Sequence, residues 1–388
     1  MLGNRWLMLA LILVSRVSMA LQFQSIAPVA PLVVADLGIT YTQVGLLIGL
    51  YLLPGTVLAL PGGMLGHRYG NRRMALWGLG LMVCGGLATA GSYSFWIACA
   101  GRILSGAGGV LLTLILTKMT AEWFAGKEIS TAMSLMLSGW PLGIGLGTAF
   151  FGAVAAHSSW RSVQHLVTST ATLAFMLLTL CYRDAPGAGT PAAALRLWPR
   201  LPARAWALAL AAGAAWASFN VGLIVLVGFG PAVLTAQGAS LAQAGFLTSL
   251  VLWALAISAP LGGALTDRTG RPNLAITLGC ITTAIAIVAL PLLPGAVLWL
   301  LVAGLMMGLP PGAIVALVPE SVRPEHLAAA FGLFYVTYYL GMAAMQPVAG
   351  LVRDLYGSPA APMFFAAAMM VITIVALGAF RWISRHPP

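Results

Sequence analysis

Apolar residues in this chain come in runs of about twenty, cut by short polar or Gly/Pro-rich breaks. A helix needs roughly 20 apolar residues to cross a bilayer's hydrocarbon core. Twelve runs qualify: 6–27, 43–65, 74–91, 96–118, 129–153 and 162–182, then 204–232, 242–265, 273–292, 296–318, 327–351 and 359–382. Backbone amides cannot be left unpaired in lipid, so each run is predicted to be a helix. The predicted fold class is an all-α membrane protein with twelve transmembrane helices in two six-helix, pseudo-symmetric halves. Arg183 to Pro202 is the only polar stretch of length, and Pro186, Gly187, Gly189, Pro191, Pro199 and Pro202 lie in it. It reads as a flexible cytoplasmic linker. The expected organisation is an N-terminal bundle at 1–182, a linker at 183–203 and a C-terminal bundle at 204–388.

The two halves repeat. GGMLGHRYGNRR, Gly62 to Arg73, returns 200 positions later as GGALTDRTGRP, Gly262 to Pro272. Each copy is a basic, glycine-bent turn between two apolar runs. EWFAGKEISTAMSL, Glu122 to Leu135, aligns with ESVRPEHLAAAFGL, Glu320 to Leu333, at an offset of 198. Two repeats at nearly the same offset indicate a duplicated bundle.

The turn resembles the loop 2–3 signature of the major facilitator superfamily, G-x-L-x-D-R-x-G-R-R. Gly63, Leu65, Arg68, Gly70, Arg72 and Arg73 match it in the first copy, and Gly263, Asp267, Arg268, Gly270 and Arg271 in the second. His67 stands where the first copy should carry the aspartate. The resemblance implies a gating clasp between the halves, made from His67, Arg68, Arg72 and Arg73 and from Asp267, Arg268 and Arg271. Asp267 would then lie near the start of the fifth span, where helix N-termini favour anions. Read without the resemblance, the same arginines are topology anchors. RILSGAG, from Arg102, resembles the superfamily's fourth-span pattern R-x-x-Q-G-x-G, with Ser105 in place of the glutamine. Arg102 either lines the cavity, braces the contact between spans 1 and 4, or snorkels while its glycines pack. SGWPLGIGLG, Ser138 to Gly147, overlaps loosely with the glycine-proline pattern of superfamily antiporters; the alternative is a kinked, closely packed helix.

Composition narrows the function. Sixty per cent of the residues are hydrophobic and 7% are charged, against about 25% charged in soluble domains. The outer surface must therefore face lipid. The net charge of +11 is not a nucleic-acid footprint, because the basic residues sit in turns rather than in one patch with interleaved aromatics. With the N-terminus inside, fifteen of the nineteen Lys and Arg residues fall on the cytoplasmic side, which sets both termini cytoplasmic. A bacterial inner membrane is the expected location. The first twenty residues resemble a signal peptide, but Arg16 interrupts their apolar region, and the segment is retained as the first span. Cys84, Cys99, Cys181 and Cys280 lie in apolar runs without CxxC spacing and read as small buried hydrophobes. No metal cluster, phosphate loop or nucleophile–base pair is found, so neither an enzyme nor a cofactor is expected.

Arg16 is the main candidate for chemistry. It lies roughly 15 Å into the first span, near the midplane. A charge there costs about 2.5–3.5 kcal/mol on insertion scales and should face water or a partner. All eight acids, Asp36, Glu122, Glu128, Asp184, Asp267, Glu320, Glu325 and Asp354, fall in or beside loops. A midplane guanidinium without a counter-charge suits an anionic substrate, because its planar fork matches carboxylate-like groups; the alternative is an arginine held by carbonyls and hydroxyls. Gln22 and Gln24 in span 1, Asn220 in span 7, and Tyr338, Tyr339 and Gln346 in span 11 complete the candidate substrate-binding set. In the superfamily spans 1, 4, 7 and 10 line the cavity, which places Arg16 and Asn220 facing it.

LQFQSIAP, Leu21 to Pro28, and the stretch from Glu320 to His326 resemble the cyanate/nitroimidazole-type branch. The expected function is secondary transport of a small anionic solute by alternating access, with an exchanged anion or coupled ion. His157 and His165 lie off the expected path, which disfavours proton symport. A monomer is expected. The competing readings are a proton-coupled exporter of drugs or hydrophobic metabolites, and a non-transporting membrane receptor or scaffold.

Overall fold

The computed structural model describes residues 4–58, 69–124, 128–185, 201–322 and 326–385. All regular structure among them is helical. In the first half these are α1 (Arg5–Gln24), α2 (Ala30–Leu37), α3 (Tyr41–Leu52), α4 (Gly55–Leu58), α5 (Asn71–Ala90), α6 (Phe95–Trp123), α7 (Ile129–His157) and α8 (Trp160–Cys181). The second half holds α9 (Ala203–Ala236), α10 (Leu241–Thr269), α11 (Pro272–Leu292), α12 (Ala296–Met306), α13 (Pro310–Ser321), α14 (Leu327–Tyr356) and α15 (Ala361–Arg385). Among the described residues, eleven segments are long and apolar enough to cross a membrane. The remaining run, α14, has the length at 30 residues but carries Tyr335, Tyr338, Tyr339 and Gln346 on its middle turns.

Prolines shape three spans. The first does not end at 27: a short 3-10 turn, Ala27–Val29, carries the chain into α2, so the span runs to Leu37. Pro28 and Pro31 are the second residues of those two elements, within the first turn, where a missing N–H removes no helical bond. The second span breaks at Leu53-Pro54, between α3 and α4, and the tenth at Met307–Leu309, ahead of Pro310.

We call the end of the molecule carrying Asn4, Arg204 and Arg385 the near end and the opposite one the far end. The duplication is legible in the backbone. Gly70 and Gly270, 200 positions apart, both have positive φ, +83° and +61°, which a side chain would strain. At the far end Gly38 and Gly238 do likewise, at +62° and +97°. Each of these is followed by a capping box, Thr40 with Gln43 before α3 and Ser240 with Gln243 before α10, which satisfies two orphan donors of each helix.

The halves meet along two seams related by the same repeat. In one, α3 lies on α14: side chains at Gly45 and Gly350 would run into the Gln346 and Tyr41 carbonyls. In the other, α10 lies on α7: a Cβ at Gly245 would come 2.5 Å from the Thr148 carbonyl oxygen, and one at Gly152 2.9 Å from that of Leu241. Tyr41 and Leu241 are 200 apart, and Gly350 and Gly152 are 198 apart, as are Gln346 and Thr148. Both seams are backbone-to-backbone contacts at the far end. The first continues inward to Gly55, which abuts the Tyr339 ring.

Candidate functional site

Arg16 is the twelfth residue of α1 and is 8% exposed. Its Nη1 donates to Thr113 Oγ1 of α6 at 2.8 Å. Its Nε is buried without a partner. Among the described residues no carboxylate pairs with it. Trp140 of α7 lies under the guanidinium, 5.4 Å from ring centroid to Cζ. Gly139 makes room for this arrangement, since a Cβ there would come 2.9 Å from Arg16 Cγ. Gly143, one turn on, lets α7 close on Ala20 and the Val17 carbonyl. Gly139, Gly143 and Gly147 of SGWPLGIGLG thus pack α7 against α1, while Gly145 faces Trp253 of α10. Thr113 itself returns a bond to the Gly109 carbonyl, so it stays helical while its oxygen accepts from Arg16. Thr117, one turn closer to the near end on the same face of α6, is exposed. The guanidinium is therefore buried at mid-span, with an exposed threonine one turn nearer the near end.

Aromatic rings wall this site. Tyr51, Tyr335, Tyr338 and Tyr339 all lie within electrostatic range of Arg16. On the first-half side, Phe23 sits between Trp140 and Tyr51 at 5.2 and 5.6 Å between centroids, and Tyr51 Oη donates to the Met19 carbonyl. On the second-half side, Tyr338 contacts Trp216 at 6.2 Å and Tyr339 at 5.0 Å. Such rings offer flat apolar faces with hydroxyls at the edge, and they stack best offset or edge-on. One half supplies the positive charge and the other supplies most of the tyrosines.

The other predicted residues separate into different places. Tyr338 and Tyr339 join Arg16. Gln22 does not: it is 1% exposed and donates from Nε2 to the Met82 carbonyl, between α1 and α5. Gln24 is likewise buried and donates to Thr148 Oγ1 of α7 at 2.9 Å, two turns toward the far end. Asn220 donates to the Trp216 carbonyl of its own helix. Gln346 is fully buried in the seam between α3 and α14, and neither its oxygen nor its nitrogen has a hydrogen-bond partner. Arg102 does not snorkel and does not meet Arg16. It is 1% exposed, and its Nε, Nη1 and Nη2 donate to the Leu47, Gln22 and Phe23 carbonyls. Those carbonyls belong to spans 1 and 2, so Arg102 is a main-chain clamp. His157 and His165 are exposed on α7 and α8, away from Arg16.

Of the gating set, His67 and Arg68 lie outside the described residues. Arg72 donates from Nη2 to the Thr179 carbonyl of α8, within its own half, and Arg73 is exposed. Asp267, Arg268 and Arg271 are exposed, and none of them enters the described ion pairs. Asp267 thus has no ion-pair partner among the described residues. The described seams join the halves at the far end, and Asp267 sits at the near end. The hydrogen bonds across the first seam come instead from Asp354, in the last turn of α14. Its Oδ1 accepts from Tyr41 N at 3.0 Å, and its Oδ2 from Thr42 N at 2.7 Å and Thr42 Oγ1 at 2.6 Å.

Sequence reasoning missed Asp354, Thr113, Trp140 and Tyr51 as members of these sites. For the seam a signal existed: Thr40-x-x-Gln43-x-Gly45 repeats as Ser240-x-x-Gln243-x-Gly245. Nothing local marks Thr113, which meets Arg16 across 97 positions.

Comparison with known proteins agrees with this architecture. The chain is 29% identical over 346 residues to the 3-(3-hydroxy-phenyl)propionate transporter of Escherichia coli, covering 86% of this chain and 82% of that one. It is 25% identical over 388 residues to the 2-nitroimidazole transporter of the same species, covering 96% and 94%. It is 25% identical over 380 residues to a lysosomal dipeptide transporter of Danio rerio, covering 90% and 81%. Among solved structures, the inward open conformation of the E. coli xylose transporter superposes with a TM-score of 0.78 at 15% identity, over 97% of this chain and 96% of that one. That likeness is one of fold. The family model of the Major Facilitator Superfamily matches residues 12–233 and 208–388, and with the duplicated helical halves and the seams that join them, the chain belongs to that superfamily.

Proposed function

We propose that the protein is a secondary transporter of a small organic anion, and that Arg16 binds the anionic group. The observation that carries this reading is the Arg16 guanidinium: buried at mid-span, held by one threonine hydroxyl, with an unpaired Nε and no described carboxylate. A buried charge left so poorly compensated is costly, and a bound carboxylate would supply the missing acceptors in bidentate form. The ring wall favours a flat, ring-bearing carboxylate over cyanate or nitrite. The names of two relatives bear on the ring, since 3-(3-hydroxyphenyl)propionate and 2-nitroimidazole both contain a planar aromatic ring and the first carries a carboxylate. Thr113, Trp140, Tyr338 and Tyr339 complete the proposed site; Gln22, Gln24 and Gln346 serve packing and the seam.

Transport would proceed by alternating access between bundles 1–182 and 204–388, joined by a linker at 183–203. The arginine distribution argues for a near end in the cytoplasm of a bacterial cell, with the protein in its inner membrane. The conformation described is then closed to the outside. In the opposite conformation Asp267 would meet the N-terminus of α7, with Arg68, Arg72, Arg73, Arg268 and Arg271 around it. Among the described residues no carboxylate pairs with Arg16, and His157 and His165 lie away from it, so exchange or facilitated movement of the anion is the expected mode.

The test is counterflow in proteoliposomes with labelled cyanate, nitrite, propionate, 3-(3-hydroxyphenyl)propionate, 2-nitroimidazole and a lipophilic amine. Saturable counterflow of the aromatic carboxylate, above that of the small inorganic anions, is expected. Counterflow of the amine alone would replace this reading with drug export.

A further inference from the structure

A second site lies at the near end, away from Arg16. Between the start of α11 and the last turns of α15 is a cavity of about 400 Å³. Asn273, Thr277, Arg381 and Arg385 form its polar rim, and Ile374 and Leu377 its floor. Arg381 is held across the rim: its Nε donates to Asn273 Oδ1 at 2.8 Å and its Nη1 to Glu320 Oε2 at 2.6 Å. Arg385, one turn further on, is exposed. No carboxylate lines the cavity itself.

The walls show what this cavity faces. Leu274, Leu278, Ile281 and Ile285 on α11 are exposed by 46–58%, and Val371, Ile372 and Val375 on α15 by 44–64%. These are lipid-facing flanks. Trp382, 65% exposed at the rim, is the residue type that settles at the membrane–water boundary. The cavity thus passes from two guanidinium groups at interface depth to aliphatic side chains within the apolar band. A free phosphate ion matches only the first part of that surface. A phospholipid with an anionic headgroup matches both, phosphate to Arg385 and Arg381 and acyl chain to Leu377 and Ile374.

We propose that this cleft is a binding site for an anionic phospholipid of the leaflet at the near end. Gly378 gives a clean way to fill it, because a Cβ there meets no atom within 4 Å. The full-length protein, purified in detergent, is titrated with phosphatidylglycerol or phosphatidylcholine and examined by native mass spectrometry. Phosphatidylglycerol should be retained where phosphatidylcholine is stripped. Arg385→Gln should weaken phosphatidylglycerol binding about fivefold, the usual effect of one basic residue at an anionic surface. Gly378→Leu should weaken it at least as much without removing a charge. Equal retention of the two lipids, or unchanged binding in both variants, overturns the proposal. So does displacement of the lipid by millimolar inorganic phosphate, which would assign the cleft to the free ion.

Discussion

The Asp354 carboxylate accepts from the Thr42 amide at 2.7 Å and from the Thr42 hydroxyl at 2.6 Å, and in doing so caps a helix of the opposite half. The capped end is the N-terminus of α3, where the free amides and the helix dipole favour an anion. The repeat-related position in the other seam, 198 residues earlier, is Ala156. The far end therefore has two seams and this cap on one of them. Arg353 lies over the Tyr41 ring beside it, 4.2 Å from the centroid.

Asp354→Asn should favour opening of the far end. Hydrogen bonds to a charged group contribute about 1.5–3 kcal/mol, so the closed-to-open ratio should fall by roughly tenfold or more. Spin-label distances across the α3–α14 seam would report it. An unchanged distribution would show that the backbone contacts at Gly45 and Gly350 hold the seam alone.

Gln346→Leu should act in the opposite direction. The amide is fully buried with both polar atoms unpaired, a cost of about 1–3 kcal/mol that leucine avoids at similar volume. A higher melting temperature in detergent, together with slower turnover from an over-stable closed far end, is the expected pair of results. A lower melting temperature would mean that the amide has acceptors when the protein is in solution.

Arg102 and Arg16 should respond differently to the same change. Arg102 donates to three carbonyls of spans 1 and 2. Lysine cannot span that fork, and leaving such acceptors unpaired costs about 1–3 kcal/mol each. Arg102→Lys should lower the melting temperature and yield, while KM of the folded fraction is unchanged. An altered KM with normal stability would move Arg102 into the substrate path.

Asp267→Asn should slow turnover with little effect on equilibrium substrate affinity, because the residue is exposed and unpaired by the described ions in the present conformation. The check is the ratio of exchange rate to binding constant in wild type and variant. A large fall in affinity at normal exchange would argue against a clasp in the opposite state.

The parts of this protein that were legible in its sequence are those set by local physics. Run length marked the spans, and loop glycines marked the repeat, because Gly70 and Gly270 need φ values that side chains resist. Boundaries drift where proline is taken as a stop, as at Pro28 and Pro31, although both lie in the first turn of new helical segments. Neighbours of Arg16 were harder. Gln22 looked close along the chain, yet six steps of about 100° place it some 240° around α1, facing α5. Thr113, Trp140 and the tyrosines reach Arg16 from other spans, and only packing brings them there. Buried polar residues in a membrane protein serve seams and clamps as well as substrates; Gln346 and Arg102 are of that kind, and residue type alone does not separate them from Arg16.

The most direct test is equilibrium binding of labelled 3-(3-hydroxyphenyl)propionate to the purified protein, comparing wild type with Arg16→Lys and Arg16→Gln at matched melting temperature. Saturable binding to the wild type, weakened about 10- to 100-fold in both variants as befits a lost charged, forked hydrogen bond, is the expected result. Equal affinity in all three folded proteins would take the anion away from Arg16.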